Sequence, residues 1–249
     1  MNRIRRGKEV RREKDSDLFK TVDSTFDTST SLALLYVMRK LGIEVIMGAI
    51  ASGKEAKVYP AKTREENYLA LKVYYTSTAS HKKALSRYIA MDSRHKIKAT
   101  STKDLIYGWA RKEFGNLKRL YEAGVSVPKP YLVHKNLLVM EFLGHDGVRA
   151  PLLFEYEDIT QELYEKVLEQ ITLMIGKAKM VHSDLSEYNI MVFDSSPVII
   201  DVGQSIQLSD DPNLEFLNKD LKNINRFFSS RGINVRPVEE ILNSVLSTS

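Results

Sequence analysis

The sequence predicts an α+β protein of two lobes, the first an antiparallel sheet with a helix and the second mainly helical. Three stretches carry that expectation. Tyr68–Tyr75 (YLALKVYY) alternates as a strand that keeps a lysine, Lys72, at its centre. Asp104–Ala123 is the best amphipathic helix in the chain, with Glu113 standing in its apolar stripe. Val181–Gln204 holds two carboxylates, Asp184 and Asp201, in a frame of short apolar runs. At 249 residues the chain is long enough for one large domain or for two lobes around a cleft.

Composition narrows the class. Hydrophobic residues at 43% and charged residues at 28% are an ordinary globular balance. No apolar run approaches the roughly 20 residues that span a bilayer, so no membrane role is expected. The first residues, MNRIRRGKEVRREK, lack an apolar core after their basic residues and do not read as a secretory signal. With no cysteine the chain has neither disulfides nor thiolate metal sites, which fits a reducing cytoplasm. The net charge of +5 owes much to Arg3, Arg5, Arg6, Lys8, Arg11, Arg12 and Lys14, opposed there only by Glu9 and Glu13. Such an arm can bind RNA by neutralising phosphates, or stand solvated.

Asp23–Ser31, rich in Ser, Thr and Asp, reads as a linker ending in a helix cap. Residues 1–31 are thus an arm and linker. Leu32–Leu41 is helical and stops at Gly42. The apolar run Ile43–Ile50 leads into Ala51-Ser52-Gly53-Lys54-Glu55-Ala56-Lys57-Val58-Tyr59, a strand, glycine turn and strand. Backbone N–H groups at such a turn can meet phosphate oxygens without a side chain in the way. With only Gly48 and Gly53 present, it is neither G-x-G-x-x-G nor a Walker A loop.

In the strand that follows, alternation sets Leu69, Leu71 and Val73 on one face and Ala70, Lys72 and Tyr74 on the other. A lysine inside such a run needs a partner for its ammonium, unless the strand lies at an edge and the side chain reaches water. The stripe Leu105, Trp109, Leu117 and Tyr121 of the amphipathic helix is completed by Glu113, which supplies the partner unless it stands exposed at the margin of the stripe; Gly124 stops that helix. Between the two, Ser77–Thr102 is polar and basic (His81, Lys82, Lys83, Arg87, Arg94, Lys96, Lys98) and long for a plain connection.

Leu132–Leu143 reads as a hairpin turning at Lys135-Asn136, and Met140-Glu141-Phe142-Leu143 then enters Gly144, where a hinge between lobes is expected. The lobes are therefore placed at 32–143 and 144–249. Asp158 is read as the cap of a long helix to about Lys179, with Leu163, Val167, Ile171, Met174 and Ala178 on its buried stripe. Ile190–Phe193 and Val198–Ile200 are short strands about a turn at Asp194–Pro197. Leu214, Leu217, Leu221, Ile224 and Phe228 fall at helical spacing, Gly232 ends that helix, and Pro237 opens a last one through Leu246.

The chemistry follows from order and spacing. His182-x-Asp184, then Asn189, then Asp201-x-Gly203 has the spacing of a kinase catalytic loop followed by a metal-binding Asp-x-Gly. Phosphoryl transfer needs phosphate oxygens neutralised, a metal held and the acceptor placed in line. Asp184 is the expected general base. Asn189 and Asp201 are the expected ligands of Mg²⁺ or Mn²⁺, which favour oxygen. His182 is expected to fix the loop rather than take part in the reaction.

Ser52-Gly53-Lys54-Glu55-Ala56-x-Val58-Tyr59, His182-Ser183-Asp184-Leu185-Ser186-Glu187-Tyr188-Asn189 and Ile200-Asp201-x-Gly203-Gln204 resemble the RIO family of atypical serine kinases, in its Rio1 branch. The similarity runs from about Leu32 to Gly232. It implies a trimmed two-lobed protein-kinase-like fold that binds ATP with Mg²⁺ or Mn²⁺, autophosphorylates on serine and serves maturation of small ribosomal subunit precursors. It further implies that Ser77–Thr102 is a flexible insertion near the nucleotide. The expected catalytic set is Lys72, Glu113, Asp184 and Asp201. The expected nucleotide set is Ile50, Ser52, Gly53, Lys54, Val58, Lys72, Met140, Glu141, Phe142, Glu187, Asn189 and Asp201.

Departures from ordinary kinases sharpen this. Ser183 stands where H-R-D has arginine, Asp-Val-Gly replaces Asp-Phe-Gly, and no A-P-E follows in the 48 residues after Asp201. Two functions stay open: a serine kinase acting on itself or another protein, and an ATPase switch on pre-ribosomal particles and their RNA. In the second, by resemblance, water or Asp201 receives the phosphoryl group. A small-molecule kinase of the aminoglycoside type shares the catalytic order but lacks the S-G-K-E-A-x-V-Y string.

Overall fold

The computed structural model describes residues 26–76, 91–94 and 101–247. The basic arm and most of the 77–102 insertion lie outside the described residues. The first element, α1 (Thr28–Leu41), is capped by Asp27, whose side chain accepts from the Thr30 amide at 2.8 Å. The linker therefore ends four residues earlier than its composition indicates, because Thr28–Ser31 are already helical. Gly42 closes the helix in the left-handed conformation at φ 66°.

The sheet comprises β1 (Ile43–Ile46), β2 (Ala51–Ser52), β3 (Ala56–Thr63), β4 (Tyr68–Tyr74), β5 (Pro130–His134) and β6 (Leu137–Glu141). Its order is β1-β3-β4-β6-β5, with β2 on β3 and every pair antiparallel. The strand β4 is central, hydrogen-bonded to β3 and β6 on its two sides, so Lys72 has no edge from which to reach water. Leu69, Leu71 and Val73 pack with Ala33, Leu34 and Val37 of α1, while Tyr74 belongs to the core on the other face. The alternation read from the sequence thus divides two cores.

On that other face lies α2 (Thr102–Glu122), capped by Ser101, whose Oγ accepts from the Asp104 amide. Leu105, Trp109, Glu113 and Leu117 are buried as expected, but Tyr121 is 45% exposed and Leu120 takes its place in the core. The helix is enclosed around more of its circumference than one stripe, since Lys112 and Asn116 are buried too.

A small hairpin of β7 (Gly144–His145) and β8 (Val148–Arg149) follows the sheet. The next helix, α3 (Gln161–Gly176), begins later than expected: Thr160, not Asp158, caps it by accepting from the Leu163 amide. Then come β9 (Met180–Val181), the hairpin β10 (Ile190–Phe193) with β11 (Ser196–Ile199), and β12 (Ile206–Gln207), which pairs with β9. The turn between β10 and β11 is tighter than expected, confined to Asp194 and Ser195, both at positive φ (47° and 57°). That matches the two-residue hairpin turn whose twist suits its strands. The helices α4 (Glu215–Ser230) and α5 (Val238–Ser247) complete the chain, and one core joins α2, α3 and α4. No helix among the described residues is long and apolar enough to cross a membrane.

Candidate active site

The site forms where β4, α2 and the segment after β11 converge. The Lys72 ammonium donates to Glu113 Oε1 at 2.8 Å and Oε2 at 3.0 Å, and to Asp201 Oδ1 at 2.8 Å. Lys72 is 9% exposed and Glu113 1%. Tyr74, on the same face of β4 as Lys72, donates its hydroxyl to Glu113 Oε2. Burial works against the lysine's charge, but the carboxylates of Asp201 and Glu113 outweigh it and hold its pKa well above the ordinary range. Burial raises the Glu113 carboxyl, with the Lys72 charge opposing. The Asp201 carboxyl is lowered, because the charge of Lys72 outweighs burial. Lys72 and Asp201 are therefore held charged at neutral pH.

Asp201 follows β11 in a left-handed conformation, φ 58° and ψ 52°, and its side chain is 58% exposed. A non-glycine residue is held there only where its surroundings over-determine it. Gly203 allows the close packing behind it. A Cβ at that position would stand 3.0 Å from Trp109 Cζ2 and 3.1 Å from Glu113 Oε2, so a side chain here would force those groups to give by a few tenths of an ångström.

The loop between β9 and β10 carries the second carboxylate. His182 is buried, and its Nε2 lies 3.1 Å from the Ile200 carbonyl. A carbonyl only accepts, so Nε2 carries the proton, and burial lowers the imidazole pKa, which keeps the ring neutral. The ring therefore ties the Asp184 loop to the Asp201 segment. Ser183 is at φ 73°. Its amide and that of Leu185 each donate at 2.8 Å to the buried carboxyl of Asp220 on α4. Burial pushes the Asp220 pKa up to about 7 against those two bonds. Asp184 itself is half-buried and meets Lys219 Nζ at 3.2 Å. The Asn189 amide nitrogen donates to the Asp184 carbonyl at 2.8 Å, leaving the side-chain oxygen as the acceptor toward the cleft.

A cavity of about 600 Å³ opens between the glycine turn and these loops. Of the expected nucleotide set, Ile50, Gly53, Lys54, Val58, Lys72, Met140, Glu141, Phe142, Asn189 and Asp201 line it, whereas Ser52 and Glu187 do not. Asp184 stands outside the lining residues, and Glu113 lies behind Lys72. The volume falls within the roughly 300–1,000 Å³ of small-molecule sites. An ammonium fixed between two carboxylates, with an exposed carboxylate and an amide oxygen on the wall, suits phosphates carrying a hard cation. No group of three or more His, Cys, Asp or Glu poised for a metal occurs among the described residues.

Sequence reasoning missed Asp220, Lys219, Lys112 and Asn116. One signal for Asp220 was present: an acidic residue within the apolar face formed by Leu217, Leu221 and Ile224. Lys112 and Asn116 flank Glu113 on α2, and only the second surface packed against that helix reveals them.

The fold and the arrangement at the cleft define the class of two-lobed, protein-kinase-like proteins. Among solved structures, the Rio2 kinase of Chaetomium thermophilum, described as an ADP/Mg²⁺-phosphoaspartate complex, has the same fold: TM-score 0.65 at 22% identity, covering 91% of this chain and 73% of that one. Serine/threonine-protein kinase RIO1 of Caenorhabditis elegans is 37% identical over 242 residues, covering 95% of this chain and 47% of its own length. The RIO-type kinase Rio1 of Haloferax volcanii is 35% identical, with 89% and 76% covered. The chain thus spans about half the length of the nematode relative and about three quarters of the archaeal one. The model of the RIO domain matches residues 57–241, and the chain belongs to the RIO domain family.

Proposed function

We propose that the chain binds ATP with Mg²⁺ (or Mn²⁺) in this cavity and transfers the γ-phosphoryl group to a serine hydroxyl, its own included. The observation that carries the reading is the single ammonium of Lys72, held at 2.8 Å by both Glu113 and Asp201 at the edge of a nucleotide-sized cavity. Lys72 binds phosphate oxygens and Glu113 keeps it in place. Asn189 and Asp201 hold the metal, which supplies neutralisation of phosphate charge. Asp184 orients the acceptor hydroxyl and takes its proton, on a loop fixed by His182 and Asp220. Ile50, Val58 and Met140 enclose the base, the backbone at Glu141 and Phe142 lies along its edge, and Gly53 and Lys54 close over the phosphates. The division at 143/144 into two lobes gives the cleft its hinge.

Membership in the RIO family supports a cytoplasmic role on small ribosomal subunit precursors, with the basic arm at the RNA. A second reading has support in the phosphoaspartate of the Rio2 structure. An Asp201 oxygen attacks the γ-phosphorus, the bond to the β-phosphate oxygen breaks as ADP leaves, and water hydrolyses the acyl phosphate. The chain would then act as an ATPase switch.

The test measures label transfer from γ-labelled ATP and release of inorganic phosphate, with and without purified precursors. Serine labelling that is lost in Asp184→Ala and Asp201→Ala supports the first reading. Phosphate release stimulated by the particle, without serine labelling, overturns it in favour of the second.

A further inference from the structure

Lys112 of α2 is fully buried, and its ammonium has three partners. It donates to the Gly203 carbonyl at 2.8 Å and the Ser205 carbonyl at 2.6 Å, and lies 3.3 Å from Asp92 Oδ2. One turn further on, Asn116 Nδ2 donates to the Val202 carbonyl at 2.8 Å and the Ser205 carbonyl at 3.1 Å. Three of the four carbonyls after Asp201 therefore end on one turn of α2. The neighbouring Glu113 grips Lys72 from the same turn. Position along this helix sets the phosphate-binding lysine and the left-handed Asp201 segment together.

The countercharge for Lys112 comes from outside the helix. Asp92 is buried and held by Arg94, Nε to Oδ1 at 2.8 Å and Nη2 to Oδ2 at 2.6 Å; Arg94 Nη2 also reaches Asn116 Oδ1 at 2.9 Å. Ser93 between them is fastened to the far side of the loop, its amide and hydroxyl donating to Asp210 at 3.1 and 3.2 Å. A buried ammonium that loses the carboxylate it touches is strongly destabilising. Asp92 is thus what allows a lysine to sit beneath these carbonyls.

We infer that Lys112 and Asn116 are positioning residues for Asp201, and that residues 92–94 form a latch joining the stretch before α2 to the metal-binding loop. Lys112 does not line the cavity; it acts by fixing the backbone that aims the Asp201 carboxylate. The inference rests on the reading of Asp201 as a metal ligand.

The test is calorimetric binding of ADP to the full chain with and without Mg²⁺, beside thermal melts. In the wild type Mg²⁺ tightens ADP binding, and Asp201→Ala abolishes that gain; absence of any Mg²⁺ effect in the wild type overturns the metal-ligand reading. Lys112→Met is expected to weaken ADP binding about tenfold in Mg²⁺ and to leave metal-free ADP binding nearly unchanged, as when the support of a metal ligand is removed. Asn116→Ala shifts it the same way by less, and carries the test if Lys112→Met does not fold. Asp92→Asn lowers the melting temperature by leaving the ammonium unpaired. Asp92→Asn/Lys112→Met recovers part of the melting temperature, Arg94 still lacking its carboxylate, without recovering the Mg²⁺ effect. Equal weakening with and without Mg²⁺, a full Mg²⁺ effect in Lys112→Met, or its recovery in the double variant would each overturn the inference.

Discussion

The Lys72 ammonium and the Asp201 carboxylate, 129 positions apart in the chain, meet at 2.8 Å. One end is delivered by the central strand of a six-stranded sheet and the other by a left-handed residue at the end of a hairpin strand. Glu113 completes the bridge from α2. The buried ammonium is tolerated because two carboxylates face it, and buried Glu113 because Lys72 faces it, so removing Lys72 has consequences for both folding and chemistry.

Lys72→Met should abolish phosphoryl transfer and cost about 3–5 kcal/mol, because Glu113 is left as a buried carboxylate without its cation. Lys72→Met/Glu113→Leu should regain most of that stability in chemical denaturation while transfer stays absent. A double variant no more stable than the single one would show that the pair is not the unit of cost.

Gly203→Ala should cost about 1–3 kcal/mol, the usual range for overpacking. Its methyl group meets the ring of Trp109, the sole tryptophan in the chain, so the native emission spectrum should shift with the loss of stability. An unchanged spectrum together with full transfer activity would mean that the segment moves aside freely.

Asp220 yields a pH dependence whose sign is set by burial. Its carboxyl is pushed from 3.8 up to about 7, so between those values the folded protein holds a proton that the unfolded chain has released. Its contribution to stability is therefore complete below about pH 4 and is lost as pH rises through about 7. The difference in denaturation midpoint between wild type and Asp220→Ala should narrow from pH 5 to pH 8. A difference that widens over this range contradicts the raised pKa.

Lys219→Ala removes a half-exposed partner from Asp184, an ion pair worth less than about 1 kcal/mol. Melting temperature should hardly change. The rate constant for transfer at saturating ATP should fall several-fold, because Asp184, proposed as the base, loses the cation that holds its carboxylate, while KM for ATP stays near the wild-type value. A rise in KM alone would place Lys219 with the nucleotide instead.

Much of this site was legible in the linear sequence, for identifiable reasons. A lysine in an apolar strand and a glutamate in the stripe of a helix are each anomalies that call for a partner, and Lys72 and Glu113 provide one for the other. Cap positions were less legible. Asp27 and Thr160 cap their helices while nearby Asp and Ser residues offered equal chemistry, and only backbone direction selects among them. Ser52 and Glu187 belong to motif strings and yet lie off the cavity wall, because neighbours along a loop point to different sides.

The order of residue types along the chain by itself determined the α+β class, the strand lysine, the helix glutamate and the spacing of Asp184, Asn189 and Asp201. These are local or periodic properties, written wherever burial must repeat at a strand or helix period. Tertiary structure alone decided that α2 is packed on two sides. Lys112 and Asn116 look like solvent-facing residues in sequence, and become the anchors of Val202–Ser205 only when that segment is laid against them. Asp220 likewise acquires its task from two amides 37 and 35 positions away. A charge that serves another element's backbone has no periodic signature, because its partner is chosen by the fold.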